Sequence, residues 1–224
     1  MTSHLWRVVA AELIKLRSLP AVPATVGTTV AVTAGLAFVA GRAGVDSPAD
    51  VAFQVITYAQ AGFILLGVLT VAAEYGGGPI RTTLAAVPGR VALTVAKLAA
   101  YVLIAVPFAA VTVVAACRVA GRTGVPVGAT AYLVLVGALA FAVALLVRGV
   151  LTALGIMLTL AFAVSPLLAT LTEYAAYLPD LAGARMFRPG PPDVLTPGQG
   201  AVVMAAWVVC LLGTAVAAFA QRDA

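Results

Sequence analysis

Six long runs of apolar residues, with hardly any charge inside them, dominate the pattern along the chain. The runs are residues 21–40, 51–72, 95–116, 129–147, 150–171 and 201–220. Each is long enough for a membrane-crossing helix, which needs about 20 apolar residues. The runs lack the alternation of apolar and polar positions that is typical of membrane β-barrel strands. The pattern therefore predicts six transmembrane helices.

Residues 1–20 have the pattern of an amphipathic helix instead. Apolar side chains recur at helical spacing, at Leu5, Trp6, Val9, Leu13 and Leu16. Polar or small residues take the other side, at Arg7, Ala11, Glu12, Lys15 and Ser18. We expect such a helix to lie in the membrane interface and to end at Pro20. The alternative is a tail that does no more than orient the first span.

The composition places the chain among membrane proteins. Hydrophobic residues make up 63% of it and charged residues only 9%, whereas a soluble domain has about 25% charged residues. The predicted fold class is an all-α integral membrane protein, with a single transmembrane domain over residues 1–224. The net charge of +5 comes from basic residues that are scattered singly, so nucleic acid is not an expected partner.

Basic residues in the connections between the runs predict the orientation, because such residues are in excess on the cytoplasmic side. One side has Arg7, Lys15, Arg17, Arg81, Arg90, Lys97, Arg148 and Arg222. The other side has Arg42, Arg118, Arg122, Arg185 and Arg188. The excess of eight over five predicts that both termini are cytoplasmic. We expect the protein to be a multi-pass protein of the plasma membrane. Residues 73–94 then form a cytoplasmic loop, and residues 172–200 an external loop with a short interfacial helix followed by irregular chain.

Signatures of catalysis and of cofactor binding are missing from the sequence. No Gly-x-x-x-x-Gly-Lys-Ser/Thr occurs, so the chain lacks the phosphate-binding loop of that class of ATPases. The single histidine, His4, excludes a His-Glu-x-x-His zinc site, and no serine lies in a Gly-x-Ser-x-Gly motif. The span cores contain no Asp, Glu or His, which argues against proton-coupled transport. We expect a chain that is not an enzyme and holds no cofactor or metal.

Polar residues in the first two spans are candidates for the lining of a substrate pathway. These candidates are Thr29, Gln54, Thr57 and Tyr58. The favoured alternative is helix packing, since small and hydroxyl residues let membrane helices approach closely and form hydrogen bonds with one another.

The loop at residues 73–94 and the N-terminal helix carry the most specific motifs. The loop contains Glu74-Tyr75, Ile80-Arg81-Thr82-Thr83-Leu84, Pro88 and Arg90, followed by Lys97 in the third span. The N-terminal helix contains Glu12-Leu13-Ile14-Lys15-Leu16-Arg17. Together with six spans and an insertion before the last span, these motifs resemble the permease subunits of bacterial type-2 ABC exporters. Gly76-Gly77-Gly78-Pro79 departs from the more usual Gly-Thr of that family before the Ile-Arg pair.

The resemblance implies the function, the partners and the site. It implies a dimer of membrane subunits, formed with a second copy or a related permease, and two cytoplasmic ATP-binding-cassette ATPase subunits. The ATPase-coupling loop would use Glu74, Ile80, Arg81, Leu84 and Arg90, and the N-terminal interfacial helix Glu12, Lys15 and Arg17. The cargo would be a hydrophobic or amphipathic compound such as a drug, an antibiotic or a lipid. The alternatives are a secondary carrier or channel, and a membrane assembly protein without transport.

Overall fold

A computed structural model describes residues 2–44, 47–72, 90–188 and 195–221. Every regular element in these ranges is helical. The α-helices are α1 (Thr2–Ser18), α2 (Ala21–Ala43), α3 (Pro48–Ala72), α4 (Arg90–Val119), α5 (Val127–Val147), α6 (Val150–Thr159), α7 (Ser165–Leu171), α8 (Pro179–Ala184) and α9 (Pro197–Gln221). A π-helical turn, Leu160–Val164, joins α6 to α7, and a 3₁₀ turn, Glu173–Tyr177, precedes α8.

Within the described ranges, six helical segments are long and apolar enough to cross a membrane. They are α2, α3, α4, α5, the continuous segment from α6 through α7, and α9. Each of the six predicted runs lies inside one of these segments. Among the described residues, the prediction of an all-α fold with six helices long and apolar enough to cross a membrane is confirmed, and this architecture is typical of a multi-pass membrane protein.

Helices α3 and α5 form the centre of the bundle. In the most apolar stretch of each, 67% and 61% of residues are buried, against 17% in α9. A helix that is apolar on all sides is suited either to a protein core or to lipid. What brings α3 and α5 together is a pair of glycines: a Cβ atom on Gly67 would overlap the carbonyl oxygen of Gly137. Close approach of this kind is how small residues favour helix association in membranes.

The fifth span changes its helical pitch beside a proline. The amide of Ser165 donates to the carbonyl of Leu160, five residues earlier, at the end of the π-helical turn. Pro166 follows directly, and its ring would clash with a carbonyl in the preceding turn of a regular α-helix. The wider turn accommodates the ring.

The segment between the fifth and sixth spans is described only in part, because residues 189–194, within the stretch predicted as irregular chain, lie outside the described residues. The 3₁₀ turn is largely exposed, as expected for an interfacial piece, but the short helix α8 after it is not superficial. Pro179, Asp180, Ala182 and Gly183 of α8 are buried. The Trp207 indole N–H donates to the carbonyl of Tyr177 at 3.0 Å, which ties this segment to α9. Glycine makes the packing possible, because a Cβ on Gly183 would overlap Met204 and Tyr132.

Candidate functional site

The N-terminal helix packs against the base of the third span, α4. Val9 and Leu16 of α1 are buried, as the amphipathic pattern predicts, while Trp6 is 63% exposed. Glu12 differs from the prediction: it was assigned to the polar side, and the structure buries it. The buried face of α1 therefore follows Val9, Glu12 and Leu16, spaced at i, i+3 and i+7.

Glu12 is buried because it meets the lysine of the third span. The Lys97 ammonium lies 2.6 Å from the Glu12 carboxylate, and the two side chains are only 6% and 7% exposed. Either charge alone would be costly there, and each neutralises the other. The pair joins residues 85 positions apart in the chain. It thereby fixes α1 to the third span, although the sequence indicates only that Lys97 can reach the interface.

The other two proposed residues of α1 lie near its end. Lys15 is half-buried and Arg17 is exposed. Basic side chains in the last turn of a helix are favourable because they offset the negative end of the helix dipole. Arg17 also lies at the edge of a groove between α1, α2 and α4.

The proposed coupling loop lies outside the described residues. This holds for Glu74, Ile80, Arg81 and Leu84. Arg90 is the first residue of α4, and its side chain is likewise outside the description. After Arg90, Lys97 is the next charged residue of α4, and the structure describes its side chain.

The four candidate pathway residues do not form one lining. Thr29 and Tyr58 border a cavity of about 170 Å³ between α2 and α3, whereas Gln54 is exposed elsewhere on α3. The Thr57 hydroxyl donates to the Phe53 carbonyl of its own helix at 3.0 Å. Thr29 occupies the space above Gly62, where a Cβ would overlap its hydroxyl. For Thr29 this contact between α2 and α3 favours helix packing over a substrate path.

Three hydrogen bonds made by buried side chains were not anticipated from sequence, and the first two link spans to one another. The Tyr132 hydroxyl on α5 bonds the Gln60 side chain on α3. The Tyr101 hydroxyl on α4 donates to the Val134 carbonyl on α5 at 2.8 Å. The sequence does carry a signal for such bonds, namely Tyr and Gln inside otherwise apolar runs, because a buried polar group needs a hydrogen-bond partner.

A third buried bond involves a carboxyl group. The Ser165 hydroxyl donates to Asp180 at 2.6 Å, between the fifth span and α8. Burial raises the pKa of Asp180, while the hydrogen bonds from the Ser165 hydroxyl and from backbone amides act in the opposite direction. Asp180 lies next to the membrane-crossing segments, in a connection that the sequence pattern marks as polar loop. Its place in the core depends on how α8 packs.

An aromatic cluster packs α3, α5 and the residues just after α8 together. The Arg122 guanidinium lies 4.5 Å from the centre of the Phe53 ring. Phe187 packs on that ring and on Tyr132, with ring centres 5.9 and 5.2 Å apart. Arg122 is therefore a packed residue that contacts α3, although its position indicates a simple loop cation.

Among the described residues, no group of three or more His, Cys, Asp or Glu side chains is placed to hold a metal ion. No protein-family model matches the chain, and no curated protein matches it significantly.

Proposed function

We propose that this chain is the membrane-spanning permease subunit of a bacterial ATP-driven ABC exporter, with ATP hydrolysed on a separate chain. The observation that carries the proposal is the buried Glu12–Lys97 pair. It joins the N-terminal helix to the span that follows residues 73–89, and these are the two segments that the family resemblance assigns to ATPase contact. A helix held this firmly does more than orient the first span.

The pair would make α1 and α4 move as one body. A partner that pushes on α1 or on the loop before α4 would then tilt the third span, because a buried ion pair at 2.6 Å resists separation. Rigid-body motion passed through packed helices is a common form of conformational coupling. In this proposal the motion drives export of a hydrophobic or amphipathic compound by a dimer of membrane subunits.

The proposed orientation puts α1 and residues 73–94 in the cytoplasm of the cell, where ATP is found. It rests on the excess of basic residues at that end of the bundle, eight against five. An even number of crossings would bring the C-terminus to the same side.

Cysteine labelling tests this orientation. In a variant with Cys117 and Cys210 replaced by Ser, a membrane-impermeant reagent applied to intact cells should label Ser47→Cys. It should not label Thr82→Cys until the membrane is permeabilised, because Ser47 and Thr82 are expected on opposite sides of the membrane. Labelling of Thr82→Cys in intact cells would contradict the orientation.

Association with an ATPase tests the function itself. We expect the chain to co-purify with a separate ATP-binding-cassette ATPase of the same organism, and the complex, unlike the chain alone, to hydrolyse ATP. If Ile80 and Leu84 anchor the loop in a groove of the ATPase, replacing either by Ala should weaken association by about 1 to 2 kcal/mol or more, as at interface hot spots. Arg81→Glu should weaken association or uncouple hydrolysis from transport without lowering membrane abundance.

The structure decides which residue can serve as the control for Arg81→Glu. Arg122 is unsuitable, because its guanidinium packs on Phe53. Arg118 is exposed at the far end of α4, so Arg118→Glu makes the same charge change with no contact to the proposed interface. Normal ATPase binding and transport in all three loop variants would reduce the loop to a connection between spans.

A further inference from the structure

A groove of about 860 Å³ runs along one side of the bundle between α1, α2 and α4. Its walls include Leu13 of α1, Gly27 of α2, and Pro107 and Val111 of α4, with Trp6 and Arg17 of α1 at its edge. We call it the α1–α2–α4 groove. Trp6, Leu13 and Arg17 share one face of α1, since their spacing of seven and four residues returns to nearly the same helical angle.

The lining is apolar apart from one charge. Among the described residues that border the groove, Arg17 is the only charged one. A long apolar cleft with a single cation at the interfacial end has the form of an amphiphile with one anionic head group and a hydrocarbon chain. Trp6 also borders the groove and is largely exposed, and tryptophan favours the level of lipid head groups.

The charges on α1 favour a negatively charged head group. Glu12 is the only acidic residue of α1, and Lys97 neutralises it inside the protein. Arg7 and Arg17 remain exposed on the helix. A guanidinium binds phosphate oxygens in a planar, two-pronged geometry that suits a phospholipid. Basic residues on an interfacial helix are drawn to anionic lipids in particular.

A second copy of this chain fits the groove less well than a lipid does. The exposed carboxylates of the described residues are at the opposite ends of the spans from Arg17: Asp50 lies in the first turn of α3, and Glu173 follows α7. Within the described part of the chain, a second copy therefore offers no exposed carboxylate at the level of Arg17. The phosphate of an anionic lipid supplies such a negative charge.

We propose that the α1–α2–α4 groove binds one acyl chain of an anionic phospholipid whose phosphate is held by Arg17. The site requires membrane insertion of the bundle and no ATPase, so its test and the test of the proposed function can fail independently.

Trp6 is a built-in reporter of this site, because the chain has only two tryptophans. With Trp207→Phe, fluorescence comes from Trp6 alone. The protein is reconstituted in phosphatidylcholine vesicles with equal small fractions of either brominated phosphatidylglycerol or brominated phosphatidylcholine. We expect the anionic lipid to quench Trp6 at a concentration about tenfold lower, the factor given by one charge-assisted hydrogen bond.

Two pairs of variants separate the head-group contact from the chain contact. Arg17→Gln should abolish the preference for the anionic lipid, and Arg7→Gln, a charge loss on the same helix outside the groove, should keep most of it. Gly27→Leu should lower quenching by both lipids, since a Cβ at Gly27 meets no protein atom within 4 Å and the side chain would fill the groove. Gly35→Leu, also open and on α2, is the matched control.

Three results would overturn the proposal. The first is equal quenching of Trp6 by the two lipids in the protein that carries only Trp207→Phe. The second is an equal loss of preference in Arg7→Gln and Arg17→Gln, which would show diffuse surface attraction. The third is a loss of cross-linked dimer in Gly27→Leu with unchanged lipid quenching, which would assign the groove to a second copy of the chain. Native mass spectrometry of the detergent-purified protein gives an independent readout, with phosphatidylglycerol retained by wild type and lost from Arg17→Gln.

Discussion

Replacing Lys97 by Met is expected to destabilise the protein by about 3 to 5 kcal/mol, the range for removing one partner of a buried ion pair. The methionine nearly fills the volume of the lysine stem, so the loss comes from the Glu12 carboxylate, which would stay buried without its cation. The unfolding midpoint in mixed micelles, or the melting temperature of the detergent-purified protein, measures the effect. We also expect α1 to become accessible to protease.

A double variant distinguishes this electrostatic cause from loss of packing. Glu12→Gln with Lys97→Met removes both charges, so it should recover a large part of the stability that Lys97→Met loses. Arg7→Met, on the exposed side of α1, is the matched single change and should alter the melting temperature little. If the double variant is as unstable as the sum of its single variants, the pair does not hold α1 on α4.

The second large effect is expected at the contact between the two central helices. Gly67→Ala should destabilise the bundle by about 3 kcal/mol or more, the upper part of the range for overpacking. The added methyl group would overlap the backbone carbonyl of Gly137, and backbone cannot move aside as a flexible side chain can. Separation of α3 from α5 would also strain the bond between Gln60 and Tyr132. Thermal unfolding and the yield of monodisperse protein in detergent measure this effect.

A glycine elsewhere in the spans supplies the control. A Cβ at Gly213 of α9 meets no protein atom within 4 Å. Gly213→Ala should therefore be neutral or stabilising by about 0.5 to 1 kcal/mol, since alanine is the better helix former. Equal stability of Gly67→Ala and Gly213→Ala would contradict the close packing of α3 on α5.

The six spans could be predicted from sequence because bilayer thickness sets a length that apolar runs either reach or miss. Residues 129–147 were predicted as a span and lie within α5, Val127–Val147. Which span is central could not be predicted in the same way. The interior of the bundle and the lipid are both apolar, so α5 and α9 look alike in sequence while one is largely buried and the other faces outward.

The features of the candidate site also fall into those that local sequence predicts and those that only tertiary contacts set. Local pattern was enough to predict an amphipathic α1, whereas Glu12, Lys15 and Arg17 were singled out by the family resemblance. Local pattern could not pair Glu12 with Lys97, because helical periodicity relates a residue only to neighbours within a few turns, and these two are 85 positions apart. The burial of Asp180 has the same origin, since its segment reads as loop until α8 packs beside the fifth span.

By itself, the sequence determined the number of spans, their approximate ends and the amphipathic character of α1, since these depend on runs of hydropathy and charge within single segments. Only the tertiary structure decided that α3 and α5 are central, that Glu12 and Lys97 neutralise each other, and that a groove with Arg17 at its edge lies between α1, α2 and α4. The physical reason is that these features are contacts between segments distant in sequence, whose free energies depend on distance and burial in three dimensions.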